Sequence, residues 1–382
     1  MTEIRPSDTP AARPPLRRSG PVNVVARRMA RHALTVPGTT PAEVVRAMCG
    51  AHAQVMSAAE LSIGLRIPGI TREQVRDALW VDRSLVKTRG PRGTVHLLPT
   101  EDLPMWLGAQ EPLLDRTPLL TDAQVDEVVA AIADALRDTE LTADELTGEV
   151  VARTGPWAGE RVMEAFQDRW PRWMAAMVPA TYRGAMCFAP NKGRKTAYTS
   201  PQRWLPGLVP DPDGAVRLLH RYLHSYGPAT PAHFARWLSA PQRWVNDVFA
   251  RADVEEVPGG FVVRGDVEWP DEPVRGVLLL PYFDAFVVGS HPREDLFPGR
   301  AGQRALNRGQ AGNHPVLLVD GVVAGVWHQK RSGRRITVTV EALGDLTAVQ
   351  RRGLDAAVER IGEFLEGRPE LVLGPVTAGP HA

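Results

Sequence analysis

One short segment, Cys49-Gly50-Ala51-His52-Ala53-Gln54, contains the side chains best suited to chemistry. His52 and Gln54 lie two residues apart, in the connection between two predicted helices. If that connection is extended, both side chains point to the same side of the chain. An imidazole and a carboxamide facing one pocket can hold and polarise a water molecule, so a catalytic site is predicted. As a bare pattern, His-x-Gln is weak and is more typical of a polar loop in which one side chain caps a backbone group.

Helices with clear start signals must position this segment. Thr40-Pro41-Ala42-Glu43 combines a capping threonine, a proline at the first helical position and a glutamate three residues after the cap. Ser57-Ala58-Ala59-Glu60 predicts the start of the next helix in the same way, and Thr71-Arg72-Glu73-Gln74 predicts that of a third. His52 and Gln54 therefore fall between the first two helices.

A hairpin with a basic tip follows these helices. Two short strands, at 84–88 and 94–98, flank the turn Arg89-Gly90-Pro91-Arg92-Gly93. The guanidinium groups of Arg89 and Arg92 suit contact with DNA phosphates or insertion into a minor groove, and the alternative is a solvated turn. His96 shares a strand face with Arg92 and is a candidate pocket residue, although its position favours a structural histidine.

A second basic run occurs in His328-Gln329-Lys330-Arg331-Ser332-Gly333-Arg334-Arg335. It reads as another hairpin, with Ser332-Gly333 in the turn. The cations of Lys330, Arg331, Arg334 and Arg335 would neutralise several phosphates, whereas the alternative is a solvated surface loop. Asp284 is a lone carboxylate inside the apolar run 277–289. We expect Asp284 to pair with a buried arginine, rather than to face the site.

Composition limits the classes of function. The chain has 382 residues, of which 43% are hydrophobic, so a large core in two or more subdomains is expected. A net charge of +1 leaves any DNA contact to local patches. Two distant cysteines, Cys49 and Cys187, argue against disulfides and against a cysteine zinc site. We expect a cytoplasmic protein with no membrane span, no metal and no cofactor, because phosphate loops and metal-ligand spacings are absent.

The chain repeats one order of elements. Residues 1–21 are rich in Pro and Arg and predict a disordered basic tail. Three segments, 22–115, 116–205 and 206–272, each read as short helices followed by a hairpin, which is the order of a winged helix. In the second segment a helix is predicted at 161–177 with strands at 185–189 and 197–200, and in the third the final helix is predicted at 241–251.

The last segment, 273–382, changes to strands. They are predicted at 275–289, 315–319, 322–329 and 335–340, and a closing helix is predicted at 346–365. The predicted fold is therefore α+β, with three tandem winged-helix units and a C-terminal β-barrel-like module.

Taken together, these motifs resemble the AlkZ-like and YcaQ-like DNA glycosylases. The resemblance rests on four segments besides Cys-Gly-x-His-Ala-Gln at 49–54. These are Arg-Gly-Thr-Val-His-Leu-Leu-Pro at 92–99, Arg-Tyr-Leu-x-x-Tyr-Gly-Pro-Ala-Thr-Pro at 221–231, Leu-Leu-Pro-x-Phe-Asp at 279–284 and Gly-Val-Trp-His-Gln-Lys-Arg at 325–331.

This resemblance implies tandem winged helices and a β-barrel closed around a DNA channel. Members of that family excise alkylated bases, chiefly N7-alkylpurines, and some unhook interstrand crosslinks or protect antibiotic producers. The family motif, Gln-apolar-Gln or Gln-apolar-Asp, matches His52, Ala53 and Gln54, so histidine replaces the first glutamine. A similar variant is associated with self-resistance to bulky guanine-alkylating antibiotics of the trioxacarcin type. The replacement of glutamine by histidine affects the expected substrate more than the expected reaction.

The resemblance therefore implies a monofunctional glycosylase that acts as a monomer on alkylated double-stranded DNA. Gln54 would orient the water and neutral His52 would act as general base. Two alternatives remain open from the residues. One is a winged-helix transcription regulator whose helix at 241–251 reads the major groove, and the other is a catalytically inactive damage-binding protein.

Overall fold

The computed structural model of the chain describes residues 23–164 and 168–381. The basic tail predicted at 1–21 lies outside the described residues. Across these ranges, no helix combines the length and the apolar character that crossing a membrane requires.

The first segment supplies the frame around His52. A three-stranded antiparallel sheet, in the order β1-β3-β2, is surrounded by helices. The elements are α1 (Val24–Arg31), α2 (Pro41–Ala47), β1 (Ala51–His52), α3 (Met56–Gly64), α4 (Arg72–Trp80), β2 (Leu85–Arg89), β3 (Val95–Pro99) and α5 (Leu103–Gln110).

Helix capping agrees with the sequence at two of the three predicted starts. The Thr40 and Thr71 side chains accept hydrogen bonds from the backbone at the starts of α2 and α4, as predicted. The start predicted at Ser57 is wrong, because α3 begins at Met56 without a side-chain cap. Glu60 is instead buried and forms ion pairs with two arginines of α4. Tertiary ion pairing has therefore replaced the expected local cap.

The second segment contains a hairpin that the sequence did not predict. Its elements are α6 (Asp122–Ala135), β4 (Leu141–Thr142), α7 (Ala143–Thr154), β5 (Arg161–Glu164), β6 (Arg169–Pro171), α8 (Met177–Tyr182), β7 (Cys187–Lys192) and β8 (Lys195–Thr199). The helix predicted at 161–177 is wrong, because β5 and β6 pair there as antiparallel strands. Pro171 has no N–H to donate and disfavours a continuous helix through this stretch.

The third segment follows the predicted order. Its elements are α9 (Gly214–Tyr226), α10 (Pro231–Leu238), α11 (Gln242–Arg251), β9 (Val254–Val257) and β10 (Gly260–Val263). The two strands pair as an antiparallel hairpin, and Thr230 caps α10 through its side chain. Helices followed by a hairpin are therefore confirmed here.

The last segment forms a curled five-stranded sheet in the order β11-β12-β13-β14-β15. All neighbours are antiparallel except β14 and β15, which are parallel and joined by α15. The elements are β11 (Val277–Leu280), α12 (Ala285–Gly289), α13 (Arg293–Leu296), α14 (Arg300–Ala305), β12 (Val316–Val319), β13 (Val322–Ser332), β14 (Arg335–Ala342), α15 (Ala348–Phe364) and β15 (Arg368–Leu373).

The strand predicted at 275–289 is wrong beyond Leu280. The chain turns at Pro281, and α12 begins after Asp284, whose side chain accepts a hydrogen bond from the Phe286 N–H. Proline has no N–H to donate to a strand ladder, and an aspartate before a helix favours capping. This turn brings Phe283 to the centre of the molecule, close to β1.

Two hydrophobic cores hold β1 in place. Ala51 and Ala53 pack in a core that joins the first segment to the curled sheet and α15, whereas Cys49 packs in a core shared with the third segment. The second segment has a core of its own. The His52 segment therefore lies where three parts of the chain meet.

Candidate active site

The backbone around His52 is fixed by a tight reversal and a short strand. Cys49 and Gly50 have positive φ angles of 55° and 101°, which turn the chain out of α2. β1 then pairs with β3, so that His52 lies opposite His96, and the Ala53 N–H donates to the Val95 carbonyl. Because strand side chains alternate, the burial of Ala51 and Ala53 places His52 on the other face.

The His52 ring is held between two other rings. It stacks on Phe283 with ring centroids 4.7 Å apart and meets His96 edge-on at 5.0 Å. Its Nδ1 atom is buried without a hydrogen-bond partner among the described residues. The ring forms part of the wall of a cavity of about 490 Å³ between the first, third and last segments. His52 is thus positioned by packing rather than by hydrogen bonds.

Positive charge dominates this cavity, which we call the arginine cavity. Its lining includes His52, His291, Phe283 and four arginines, namely Arg92, Arg236, Arg293 and Arg308, and it includes no carboxylate. Among residues 23–164 and 168–381, no three His, Cys, Asp or Glu side chains are grouped as metal ligands would be. The cavity is therefore suited to anionic groups such as DNA phosphates.

Burial, together with the nearby Arg92 guanidinium, lowers the pKa of His52 from 6.5 to about 4. Both effects disfavour the imidazolium cation. His52 is consequently neutral at physiological pH and has a lone pair available to accept a proton.

Gln54 does not lie beside His52 in this cavity. The β1 strand ends at His52, the chain bends at Gln54, and the Gln54 side chain is exposed. Gln54 does not contribute to the lining of the arginine cavity. The structure therefore contradicts the expectation that the two side chains face one pocket, since the extended backbone on which it rested stops too early.

The first basic hairpin is more compact than predicted. Arg92 has a positive φ of 60°, is half-buried and donates to the Trp237 carbonyl at 2.8 Å. Arg89 donates to the Gly93 carbonyl at 2.9 Å, across the turn. The tip packs against the end of α10, so Arg89 and Arg92 do not project freely from this turn. Arg92 instead reaches the arginine cavity from within the fold.

His96 and Asp284 have structural partners. His96 is buried, its Nδ1 lies 2.9 Å from the Thr94 carbonyl, and its ring contacts His52. Asp284 is buried and forms a two-point ion pair with Arg66 at 2.8 and 2.9 Å. Burial alone would raise the pKa of Asp284, but Arg66 outweighs burial and holds that pKa below its usual value. His96 thus supports the His52 ring, while Asp284 joins α3 to the turn before α12.

The second basic hairpin lies at the end of β13 and β14. Ser332 pairs with Arg335, so the turn is Gly333-Arg334, one residue later than predicted. All four basic side chains are exposed. Arg335 forms an ion pair with Glu370, and Arg331 donates to the Leu365 carbonyl. None of the four lines the arginine cavity.

Several site residues were not identified from the sequence. Phe283 has a positive φ of 55°, which is unusual for a bulky side chain and marks a constrained backbone. Arg293 donates to the carbonyls of Val287, Val288 and Ser290, which fixes the end of α12. Arg236 and Arg308 come from separate segments. In the sequence, only Phe283 belongs to a motif that indicated the family. The three arginines could not be identified, because isolated arginines are common on protein surfaces.

Comparison with known proteins identifies the class. The model of the DNA glycosylase AlkZ-like family matches residues 45–364, so the chain belongs to this family and is a DNA N-glycosylase, a hydrolase. The particular proteins it is similar to come from Streptomyces sahachiroi. A relative described as an interstrand DNA cross-link repair glycosylase is 33% identical over 333 residues, which is 80% of this chain and 86% of the relative.

The solved structure of the Streptomyces sahachiroi DNA glycosylase AlkZ has the same overall fold. It superposes with a TM-score of 0.74 and 26% identity, covering 92% of this chain and 98% of that chain. The predicted family, the mixed α+β fold and the glycosylase function are confirmed by these comparisons.

Proposed function

We propose that the enzyme removes N7-alkylated guanines from double-stranded DNA, including bulky genotoxin adducts and interstrand crosslinks, with His52 and Gln54 as its catalytic pair. The observation that carries the proposal is a half-buried, neutral His52 in the wall of an arginine-lined cavity without a carboxylate. The crosslink part is supported by the name of the Streptomyces sahachiroi relative.

The proposed chemistry requires little acid catalysis. N7-alkylation leaves a positive charge on the purine, so the base departs without first being protonated. The sugar then develops oxocarbenium character, as in glycoside hydrolysis, and a water molecule must be placed against C1′. His52 accepts a proton from that water. Gln54 lies outside the arginine cavity in the free protein, so its carbonyl oxygen orients the water only after the exposed side chain turns towards the bound DNA.

Bound DNA adjusts both residues for this role. The pKa of His52 is about 4 in the free protein, and phosphates in the arginine cavity raise it towards neutrality, because nearby negative charge favours the imidazolium. A general base is most effective when its pKa lies near the working pH. Gln54 is exposed, so its carboxamide is free to meet the DNA.

The absence of a carboxylate in the cavity supports selectivity for damage. Without a fixed negative charge to stabilise the cationic sugar, an undamaged base departs slowly. The phosphates themselves then supply the negative charge near the reacting sugar. The lability of the lesion therefore selects the substrate. Base-flipping enzymes turn the target base fully into a tight pocket, whereas this enzyme need not do so with a bulky adduct.

The finer architecture belongs to the same proposal. Segments 22–115, 116–205 and 206–272 act as winged-helix units and segment 273–382 as a barrel-like module, so that a monomer encloses duplex DNA in the cytoplasm. Arg92 holds the strand from inside the channel beside Arg89. The exposed Lys330 and Arg334 contact phosphates outside it, with Arg331 and Arg335 nearby.

The two alternatives are disfavoured by separate observations. A transcription regulator gives no reason for a half-buried, neutral histidine in an arginine-lined cavity. A damage-binding protein without activity is disfavoured because the family is one of DNA glycosylases. Release of a base distinguishes the proposed enzyme from both.

The test uses duplex DNA with a single N7-methylguanine, followed by alkaline cleavage of abasic sites. Wild-type protein is expected to give strand breaks, and His52→Ala and Gln54→Ala are each expected to lower the single-turnover rate about 100-fold or more. His220→Ala, a histidine of α9 outside the arginine cavity, is the matched control and should retain the wild-type rate. Strand breaks that persist in the His52 variant would contradict the assignment.

A further inference from the structure

A second cavity, of about 170 Å³, lies next to the catalytic segment. It begins one residue after Gln54, because Val55 and the first turn of α3 form one wall. The opposite wall comes from the curled sheet and the turn after β11. Its principal lining residues are Val55, Ala58, Tyr282, Trp327, His328 and His381.

Aromatic contacts connect this cavity to His52. The Phe283 ring, which stacks on His52, also meets the His381 ring edge-on with centroids 5.4 Å apart. Tyr282 meets the same His381 ring at 5.3 Å. The His381 N–H donates to the Asn313 carbonyl, and Asn313 lines the arginine cavity. Two rings, those of His381 and Phe283, would therefore separate a group in the second cavity from the proposed base.

The two cavities differ in charge. The arginine cavity has four guanidinium groups, whereas no Lys, Arg, Asp or Glu lines the second cavity. A phosphate would have no counter-charge in the second cavity, and its transfer there would be costly. The second cavity is therefore suited to an uncharged group.

Its polar atoms lack partners. The Nδ1 atoms of His328 and His381 and the Oε1 atom of Gln329 are buried with no hydrogen-bond partner in the part of the chain that is described. Buried polar atoms are normally satisfied, and unsatisfied ones call for a ligand or water that completes them. The walls offer flat rings and apolar carbons alongside these atoms, which is typical of small-molecule sites.

We propose that this second cavity is a subsite for an uncharged aromatic ring attached to the damaged guanine, so that it selects adducts by their non-nucleotide part. The inference rests on the proposed function. A cavity of about 150 Å³ in another protein holds a benzene ring, so a volume of this size accepts one ring or the edge of a fused system.

The test compares two lesions in the same duplex, N7-methylguanine and N7-benzylguanine. Ala58→Leu fills the cavity from α3, and Gln329→Leu removes a polar atom from its wall. Each is expected to slow excision of N7-benzylguanine about tenfold, since the ring loses its burial, while excision of N7-methylguanine stays within about twofold. Ala143→Leu, at a half-buried position of α7 that lines neither cavity, is the control.

The outcomes separate the two proposals. Equal rates for wild type and both variants on both lesions would overturn the subsite. Equal slowing on both lesions would also overturn it, because the guanine ring itself would then be affected rather than its substituent. If wild-type protein excises neither lesion, the proposed function fails. Melting temperatures show whether a variant is folded, and Gln329→Leu, on a strand surface, provides a second reading if Ala58→Leu does not fold.

Discussion

At the scale of single residues, His52 is defined by what surrounds it more than by its place in a motif. The ring has aromatic neighbours on two sides. Burial and the nearby Arg92 guanidinium both favour its neutral form. A histidine in water would be partly protonated at pH 6.5, whereas this one is not. Its pH dependence therefore provides a direct check of its role.

We expect the excision rate to be nearly constant between pH 7.5 and 8 and to fall on acidification, once the pH approaches the pKa of His52 in the complex. The pKa of His52 is about 4 in the free protein, so the midpoint of the acid limb in the complex should lie between about 4 and 6.5. Single-turnover rates on N7-methylguanine duplex across this range measure it. A midpoint above 6.5 would show that a different group acts as the base.

The buried pair of Arg66 and Asp284 gives a second prediction at this scale. Both side chains are fully buried, and Asp284→Asn would leave the Arg66 charge without its partner. The expected loss is about 3–5 kcal/mol in the free energy of unfolding, measured by urea denaturation. Asp134→Asn removes an exposed partner of Arg137 and Arg153 and should cost far less, because solvent screens exposed ion pairs. Equal losses would mean that Asp284 is not the structural residue described.

At the scale of elements, one turn and one loop hold the site together. The turn after β11 places Phe283 against His52, and the Phe283 N–H donates to the Gly312 carbonyl at 2.9 Å. Gly312 has a φ of 99°, and a Cβ there would lie 2.7 Å from a Val288 methyl and 3.2 Å from the Phe283 Cα. No other residue fits this position without moving the turn.

Gly312→Ala should therefore lower both stability and excision, because it combines a strained φ with a displaced Phe283. Gly265→Ala is the matched control, since Gly265 has a φ of 81° and open space where a Cβ would be added. Both variants bear the φ strain, of about 1–2 kcal/mol, but only Gly312→Ala should slow base release. Thermal melting and single-turnover excision measure the two effects. Unchanged excision in Gly312→Ala would show that Phe283 does not need to be held there.

At the scale of the whole molecule, a chain of net charge +1 must concentrate its positive charge to hold DNA. The arginine cavity does this with residues from three segments. Two hydrophobic cores pack the first segment against the third and the last segments, and this packing assembles the arginine cavity. DNA affinity should therefore depend on salt despite the nearly neutral chain.

Arg236→Gln is expected to weaken binding and to reduce the slope of log affinity against log salt by about 1, as for one lost phosphate contact. Arg243→Gln, at an exposed position of α11 outside the cavity, should leave the slope unchanged. Fluorescence anisotropy with a labelled duplex at several salt concentrations measures both. Equal slopes for both variants and wild type would place the DNA elsewhere on the protein.

Stability should also fall on acidification. Burial lowers the pKa values of His32 and His291 to about 3 and that of His52 to about 4, all from 6.5. Below pH 6.5 the unfolded chain binds protons that the folded protein does not, so stability present at pH 7 is lost as the pH falls towards these values. Melting temperatures from pH 7.5 to 5 measure the loss. His32→Leu should make the melting temperature depend less steeply on pH. An unchanged pH dependence would show that His32 does not contribute to the loss of stability.

Local signals in the sequence determined much of this protein. The caps at Thr40 and Thr71, the helices and hairpin of the third segment and the strands β12 to β14 depend on contacts within a few residues. Capping hydrogen bonds to nearby N–H groups and the periodicity of apolar residues depend only on local sequence, so they can be predicted from it. The motif that contains His52, and the family it indicated, were readable for the same reason.

Tertiary structure alone decided the rest. At 161–171 the sequence pattern predicts a helix, whereas the chain forms a hairpin. The buried ion pairs of Glu60 and of Asp284 depend on partners distant in sequence, which no local pattern names. The same holds for the site, where Arg236, Arg293 and Arg308 come together with His52 only after the cores pack. Burial also sets the charge state of His52 and leaves Gln54 exposed. A sequence names the groups that can do chemistry, but desolvation and proximity, which arise on folding, determine what those groups do.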